Sequence, residues 1–189
     1  MKVVVAITGA SGVILGKRLI EFLKTGANKD RFQVQLIISK SAKEIAGYEG
    51  VNLDETQGLA DYCYEEDELD SCISSSSYGI DAMIIIPCSM KTLAAVANGF
   101  CDNLIGRVAE NILKLDKKLV VAPRDTPLSL AAIENMGKLK SAGVLIVPPN
   151  MAYYYKPKTL DDVTNFFVGK ILDALGIEHN LYKKWKGFD

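Results

Sequence analysis

The sequence is poor in the residues that build metal centres. Its 189 residues include one histidine, His179, and the four cysteines, Cys63, Cys72, Cys88 and Cys101, form no Cys-x-x-Cys pair. Zinc sites need several such ligands at set spacings, so the sequence predicts no metal site. Cysteines without a disulfide pattern indicate free thiols in a reducing compartment. We therefore expect a cytoplasmic protein without a metal centre.

An excess of charge of one sign and long apolar runs are also missing. The 22 Lys and Arg residues against 23 Asp and Glu residues give a net charge of −1, without the basic footprint of a nucleic-acid-binding protein. The first apolar run, residues 3–7, is too short for a signal-peptide core, and no run approaches the length that spans a bilayer. We expect neither nucleic acid nor membrane as a partner. The length fits one domain, residues 1–189.

Short apolar runs alternate with segments of helical period. The predicted strands are 3–7, 34–38, 82–86, 119–122 and 144–147, and the predicted helices are 12–24, 91–98, 102–115, 128–138 and 161–175. Strands that are apolar throughout belong to parallel sheets covered on both faces. The sequence therefore predicts an α/β fold, a Rossmann-like (flavodoxin-like) three-layer sandwich with a mainly parallel sheet. The region 51–77 is expected to hold one helix and a surface loop.

Hydroxyls, glycines and cations follow the predicted strands, where ligands of parallel sheets bind. The segments that follow the first four strands begin with Thr8-Gly9-Ala10-Ser11-Gly12, Ser39-Lys40, Ser89-Met90-Lys91-Thr92 and Arg124-Asp125. An NAD site would need an acidic residue after the second strand, so Ser39-Lys40 disfavours NAD. Ser89, Thr92 and Arg124 suit a mononucleotide phosphate such as that of FMN, whereas NADP stays possible through Lys40. The first loop by itself fits a plain turn equally well.

Several motifs occur in a fixed order along almost the whole chain. They are TGASG at 8–12, ISKSA at 38–42, PCSMKTLAAVANG at 87–99, DNLI at 102–105, PRDTPLS at 123–129, ENM at 134–136 and YYKP at 154–157. Together they resemble the UbiX/Pad1 flavin prenyltransferases. The resemblance implies reduced FMN as prenyl acceptor and dimethylallyl monophosphate as donor, with new bonds at N5 and C6 of the flavin and no metal. It also implies that the product serves a UbiD-type decarboxylase.

The resemblance further implies a homododecamer with active sites at subunit junctions, where the C-terminal helix and tail, about 159–189, close the site or the interface. The matching FMN-site positions are Gly9, Ala10, Ser11, Ser39, Ser89, Met90, Lys91, Thr92 and Arg124. The matching catalytic positions are Glu49, Ser11, Lys114 and Asp125, with Glu49 as a proton carrier at the flavin edge. The matching prenyl-phosphate positions are Arg107, Lys114, Tyr154 and Lys170. Asp125 stands where the family usually has Glu, and Lys170 where it usually has Arg.

Two other functions remain open. One is an FMN-dependent decarboxylase of the cysteine decarboxylase class, which relies on a histidine near the flavin, whereas this chain has only His179. The other is a non-catalytic FMN carrier, which leaves a second set of phosphate-binding residues (Lys114, Tyr154 and Lys170) unexplained.

Structural readings of the same residues also remain. Arg107 and Lys114 fit a solvated helix face, Asp67 and Asp70 a solvated acidic loop, and His179 the surface. Cys88 fits a small buried residue, and one tyrosine of 153–155 a core or interface anchor.

Overall fold

In the computed structural model, which describes residues 1–185 and 187, parallel strands form one sheet. The six strands found there are β1 (Lys2–Ile7), β2 (Gln33–Ile38), β3 (Tyr62–Glu65), β4 (Ala82–Cys88), β5 (Lys118–Pro123) and β6 (Leu145–Ile146). Their order in the sheet is β3-β2-β1-β4-β5-β6, and every neighbouring pair is parallel. From β1 the chain adds β2 and β3 on one side and β4, β5 and β6 on the other, so the strand order switches between β1 and β4. Doubly wound folds bind ligands at this switch point.

Helices connect these strands. They are α1 (Val13–Lys24), α2 (Lys40–Glu49), α3 (Leu53–Leu59), α4 (Met90–Ala97), α5 (Leu104–Lys114), α6 (Leu130–Ser141) and α7 (Leu160–Leu175). Local sequence signals explain their ends. Thr159 and Asp162 form a capping box at the start of α7, and Gly176 ends it with a left-handed φ of 76°. Within the part of the chain described, no helix is long and apolar enough to cross a membrane.

Two apolar cores lie on opposite faces of the sheet. Along β1, Val3, Val5 and Ile7 pack into a core with α1 and α7, whereas Val4 and Ala6 pack into the core that contains α4 and α5. Because successive side chains of a strand point to opposite faces, a strand buried on both faces is apolar at every position. The predicted three-layer fold is confirmed, with α1 and α7 in one outer layer and α4 and α5 in the other.

Two elements near the site, the helix α2 and the strand β3, are not predicted from the sequence. The region 51–77 contains β3 besides the expected helix α3, and α2 precedes it. β3 is an edge strand of four residues without a continuous apolar run, so its pairing with β2 was not visible locally.

The expected surface position of His179 was wrong, because its side chain is fully buried. Cys88 is buried as expected, and burial raises the pKa of its thiol to about 12. Tyr155 stacks on Phe166 with ring centroids 4.4 Å apart, so one of the three tyrosines is an anchor, as expected.

Candidate functional site

A cavity of about 320 Å³ opens at the carboxyl ends of β1, β2, β4 and β5. Its lining residues are Gly9, Ala10, Ser39, Ser41, Glu66, Ser89, Met90, Lys91, Thr92, Asn103, Arg124 and Asp125. The cavity therefore gathers every FMN-site residue expected from the sequence except Ser11, together with Asp125. Ser11 is exposed and does not line the cavity.

The loop after β1 lies close to α2. A Cβ atom on Gly9 would come within 2.5 Å of the Ser41 Cβ atom, so only glycine permits this approach. The buried hydroxyl of Thr8 donates to the Pro87 carbonyl at 2.8 Å and accepts from the Ser89 amide at 2.8 Å. Thr8 thereby ties the loop after β1 to the loop after β4, and both loops form walls of the cavity.

Among the helices that begin at this edge, α1 and α2 have N-termini occupied by carboxylates of the same chain. The Glu49 carboxylate accepts from the amides of Gly12 and Val13 at 2.7 and 3.0 Å, at the start of α1. The Glu66 carboxylate accepts from the Lys40 amide at 2.9 Å, at the start of α2. Since the N-terminus of a helix favours anions, these carboxylates take places that a phosphate would otherwise occupy.

The N-terminus of α4 is open. The Ser89 hydroxyl accepts from the Thr92 amide at 3.2 Å and lies 3.0 Å from the Thr92 hydroxyl, to which it can donate. The amides of Met90 and Lys91 have no acceptor among the described residues. Two free amides and the Thr92 hydroxyl proton therefore remain for an anion in the cavity.

Arg124 and Asp125 lie between two cavities. Both residues also line a neighbouring cavity of about 350 Å³, whose other walls are mainly apolar and include Leu128 and Met151. Asp125 accepts from the Thr126 amide at 2.9 Å, and the Arg124 guanidinium has no hydrogen-bond or ion-pair partner in the described part of the chain. Arg124 is thus an unpaired cation that can neutralise a bound phosphate.

Three residues of the cavity wall, Ser41, Glu66 and Asn103, are not among the site residues expected from the sequence. Glu66 belongs to the acidic run that was interpreted as solvated, but its carboxylate binds the Lys40 amide and accepts from the Asn103 side chain at 3.3 Å. Asn103 also caps α5, accepting from the Gly106 amide at 2.9 Å. The cap itself was visible in the motif DNLI, whereas the contact with Glu66 depends on the pairing of β3. In the same acidic run, the Asp67 carboxylate lies 3.3 Å from the Lys40 ammonium.

Two of the expected prenyl-phosphate residues lie near one aromatic cluster. The Lys170 ammonium lies 5.3 Å from the ring centroid of Phe166 and 5.0 Å from that of Tyr182. The Tyr182 hydroxyl holds the pKa of Lys170 above its usual range. Tyr154 contacts the edge of Phe166, with centroids 6.0 Å apart. Tyr154 and Lys170 are therefore neighbours through Phe166.

The other two, Arg107 and Lys114, lie on the opposite face of the sheet. Both are in α5, which packs in the core that α7 does not share. The Arg107 side chain donates to the Ser74 carbonyl at 3.0 Å, and Lys114 is exposed. One chain therefore does not bring Arg107 and Lys114 together with Tyr154 and Lys170, and the expected set of four is not a single cluster.

The hydrogen-bond donors and cations of the cavity favour an anion as ligand. Within the described residues, no group of three His, Cys, Asp or Glu side chains could hold a metal ion. His179 lies away from the cavity and contacts Asp173, with Nε2 and Oδ1 3.2 Å apart. A phosphate at α4, flanked by Lys91 and Arg124, matches the groups that the cavity presents.

Comparison with known proteins shows close relatives. The family model described as "Flavoprotein" matches residues 1–172. The chain is 48% identical to the flavin prenyltransferase UbiX of Methanocaldococcus jannaschii, over 98% of each chain.

Solved structures agree. A dodecameric FMN-dependent UbiX-like decarboxylase from Escherichia coli O157:H7 superposes with a TM-score of 0.94 at 40% identity, covering 99% of this chain and 100% of that one. A UbiX protein, AnUbiX (PadA1), in complex with FMN and dimethylallyl pyrophosphate also superposes with a TM-score of 0.94. It is 36% identical, and the superposition covers 100% of this chain and 98% of that one.

Proposed function

Because the chain belongs to the UbiX family of flavin prenyltransferases, we propose that it transfers a dimethylallyl group from dimethylallyl monophosphate to N5 and C6 of reduced FMN. The observation that carries the proposal is the open N-terminus of α4 beside the unpaired Arg124, at the switch point of the sheet. A flavin phosphate fits there, since Glu49 and Glu66 occupy the starts of α1 and α2. The relative in complex with FMN and dimethylallyl pyrophosphate supports a flavin and a prenyl phosphate as the ligands.

The residues then divide between two anions. Thr92, Lys91 and Arg124 bind the flavin phosphate, and Gly9 lets the backbone approach the flavin. Lys170 and Tyr154 bind the phosphate of the prenyl donor. We propose that Arg107 and Lys114 reach this second phosphate from a neighbouring subunit, because α5 lies on the far face of its own sheet. A homododecamer, as in the Escherichia coli relative, would provide such a junction.

The transfer breaks the C–O bond of the donor, whose electron pair leaves with phosphate. N5 and C6 of the flavin each lose a hydrogen and gain a carbon. One of the two protons moves to the former alkene, and the other leaves with the phosphate. Cations around the leaving phosphate stabilise its charge, so no metal is required. Glu49 and Asp125 are the proposed proton carriers, and Ser11 is a proposed hydroxyl donor. Asp125 is one methylene shorter than the usual Glu, which shortens its reach.

The proposal extends to the rest of the molecule. Residues 1–189 form a single flavin-binding domain, and the segment 159–189 closes the site or a subunit interface. Residues 186, 188 and 189 of that segment lie outside the described residues. The product would serve a UbiD-type decarboxylase, and the cytoplasmic location stays a prediction.

A decarboxylase of the cysteine decarboxylase class is the second candidate, and the Escherichia coli relative carries the name decarboxylase. The buried position of His179 does not favour it, because this histidine contacts Asp173 and does not line the cavity. An FMN carrier would use the cavity but not Lys170 and Tyr154.

One anaerobic experiment separates these functions. Purified protein is mixed with reduced FMN and either dimethylallyl monophosphate or the pyrophosphate, and the flavin is analysed by mass spectrometry. We expect a flavin heavier by C5H8 and release of inorganic phosphate with the monophosphate. Unmodified flavin would contradict the proposal, and tight NADP binding without FMN binding would overturn the cofactor assignment. Adding the product to an apo UbiD-type decarboxylase tests the recipient.

A further inference from the structure

The tail that follows α7 folds back onto that helix. A Cβ atom on Gly169 would come within 2.5 Å of the Tyr182 ring and within 2.8 Å of the His179 ring. The absence of a side chain at Gly169 thus lets two rings of the tail lie directly on the helix backbone. The tail is attached over the helix face that carries Lys170.

Asp173 is the polar contact that holds the tail. Its carboxylate accepts from the Tyr182 hydroxyl at 2.5 Å and from the Lys184 ammonium at 2.7 Å, and it lies 3.2 Å from Nε2 of the buried His179. Burial opposes the negative charge, but these contacts outweigh it and lower the pKa of Asp173. Three tail residues therefore depend on one carboxylate.

Lys170 lies one helical turn before Asp173, on the same face. Its ammonium lies 5.0 Å from the centroid of the Tyr182 ring that Asp173 holds, and 5.3 Å from that of Phe166. Both distances are within the range of cation–π attraction. A lysine has a flexible four-carbon stem and no planar fork, so neighbouring groups must direct its charge.

Resting on the proposed function, we propose that Asp173 and Tyr182 are positioning residues that hold Lys170 toward the phosphate of the prenyl donor. In this arrangement the carboxylate fixes the tyrosine ring, and the ring restricts the lysine stem. Tyr154 makes an edge contact with Phe166, the second ring next to Lys170. In this proposal the tail shapes the donor site, and none of the described tail residues lines the flavin cavity.

The test is a double-mutant cycle read by equilibrium binding. Dimethylallyl monophosphate is titrated calorimetrically into the full-length protein loaded with oxidised FMN, so that no turnover occurs. Tyr182→Phe and Asp173→Asn should each weaken donor binding roughly three- to tenfold, the range of one hydrogen bond. FMN affinity should stay unchanged. In the Lys170→Ala background, Tyr182→Phe should have no further effect.

Two further variants complete the design. Lys170→Arg should reduce the effect of Tyr182→Phe, because the planar fork of arginine depends less on guidance from the ring. Tyr62→Phe is the matched control, since Tyr62 lies on the edge strand β3. It should change nothing.

The outcomes separate the two proposals. Equal losses from Tyr182→Phe with and without Lys170, or an unchanged donor affinity, would overturn the positioning role while leaving prenyl transfer by the wild-type protein intact. A parallel loss of FMN affinity and thermal stability would assign Tyr182 a merely structural role. Failure of the wild-type protein to bind the donor or to modify reduced FMN would overturn both proposals.

Discussion

Glu49 has two tasks in the proposed site. It caps α1 through the amides of Gly12 and Val13, and it is the proposed proton carrier at the flavin edge. The same carboxylate therefore has a structural role at the start of α1 besides its proposed catalytic role.

We predict that Glu49→Gln binds FMN but stalls formation of the finished product, because the amide cannot accept the proton. The variant also loses a charge at the start of α1, so the free energy of unfolding should fall by about 0.3–1 kcal/mol. Anaerobic single-turnover mass analysis and chemical denaturation measure the two effects. Glu44→Gln, on the same helix and exposed, is the control. A normal product yield at a normal rate would remove Glu49 from the mechanism.

Thr92 tests the flavin phosphate site. Its hydroxyl accepts from Ser89 and has its own proton free for a phosphate. Thr92→Val, which keeps the shape, should lose about 1.5–3 kcal/mol of FMN binding free energy, the value of a hydrogen bond to a charged group. Flavin fluorescence titration measures the affinity. Thr25→Val, after the far end of α1, should bind FMN normally, and equal affinity in both variants would place the phosphate elsewhere.

At the scale of elements, α1 is held very close to the sheet. A Cβ atom on Gly16 would come within 2.7 Å of the Ile7 side chain and 2.8 Å of the Ile86 carbonyl. The carbonyl belongs to the backbone of β4 and cannot move aside as a side chain can. Since the loop that leads into α1 and the loop that follows β4 form walls of the cavity, this packing also sets the shape of the site.

We predict that Gly16→Ala lowers the free energy of unfolding by about 1–3 kcal/mol, the usual cost of an overpacked core. Gly47→Ala is the matched control, because a Cβ atom there meets nothing within 4 Å. In the middle of α2 it should be neutral or stabilise the protein by up to about 1 kcal/mol, through helix propensity. Urea denaturation decides, and equal stability of the two variants would contradict the packing argument.

At the scale of the whole molecule, the proposed donor site is divided. Arg107 and Lys114 lie on one face of the sheet, and Tyr154 and Lys170 are associated with the other. If neighbouring subunits complete the site, one subunit of each junction supplies Lys114 and the other supplies Lys170. Lys114→Ala and Lys170→Ala then remove lysines from opposite sides of the junction. Oligomers assembled from both variants would then contain some junctions with both lysines.

We therefore predict complementation. Lys114→Ala and Lys170→Ala should each be impaired alone, whereas co-refolded or co-expressed mixtures should recover part of the activity. Size-exclusion chromatography confirms that mixed oligomers form. A mixture no more active than its components would show that both lysines serve one chain, or that one of them lies outside the site.

The absence of a metal requirement is a second prediction at this scale. Lys170 and, from the neighbouring subunit, Lys114 and Arg107 are the cations proposed to stabilise the leaving phosphate. Turnover should therefore be unchanged in EDTA. Loss of activity in EDTA that magnesium restores would assign the charge stabilisation to a metal instead.

The fold and much of the cavity followed from local patterns. Apolar runs such as residues 3–7 have side chains on both faces, and only a sheet covered on both faces buries them all. Segments that follow parallel strands meet at one edge of the sheet, so the sequence alone predicts that Gly9, Ser39, Ser89 and Arg124 lie close together there. Their chemistry, hydroxyls, free amides and cations, indicated an anion, and the ordered motifs indicated the family.

The remaining features of the site depend on pairings between segments that are distant in the sequence, so only the tertiary structure decided them. The four residues of β3 become a strand only against β2, and that pairing moves Glu66 from a solvated run to the cavity wall. His179 is buried because the tail returns over Gly169, which no local pattern records. The sequence by itself determined five of the six strands in the described part of the chain, the binding edge of the sheet and the residue types at that edge. Which helix start stays open to a phosphate, and which face of the sheet each lysine occupies, are properties of long-range packing, so only the folded molecule decided them.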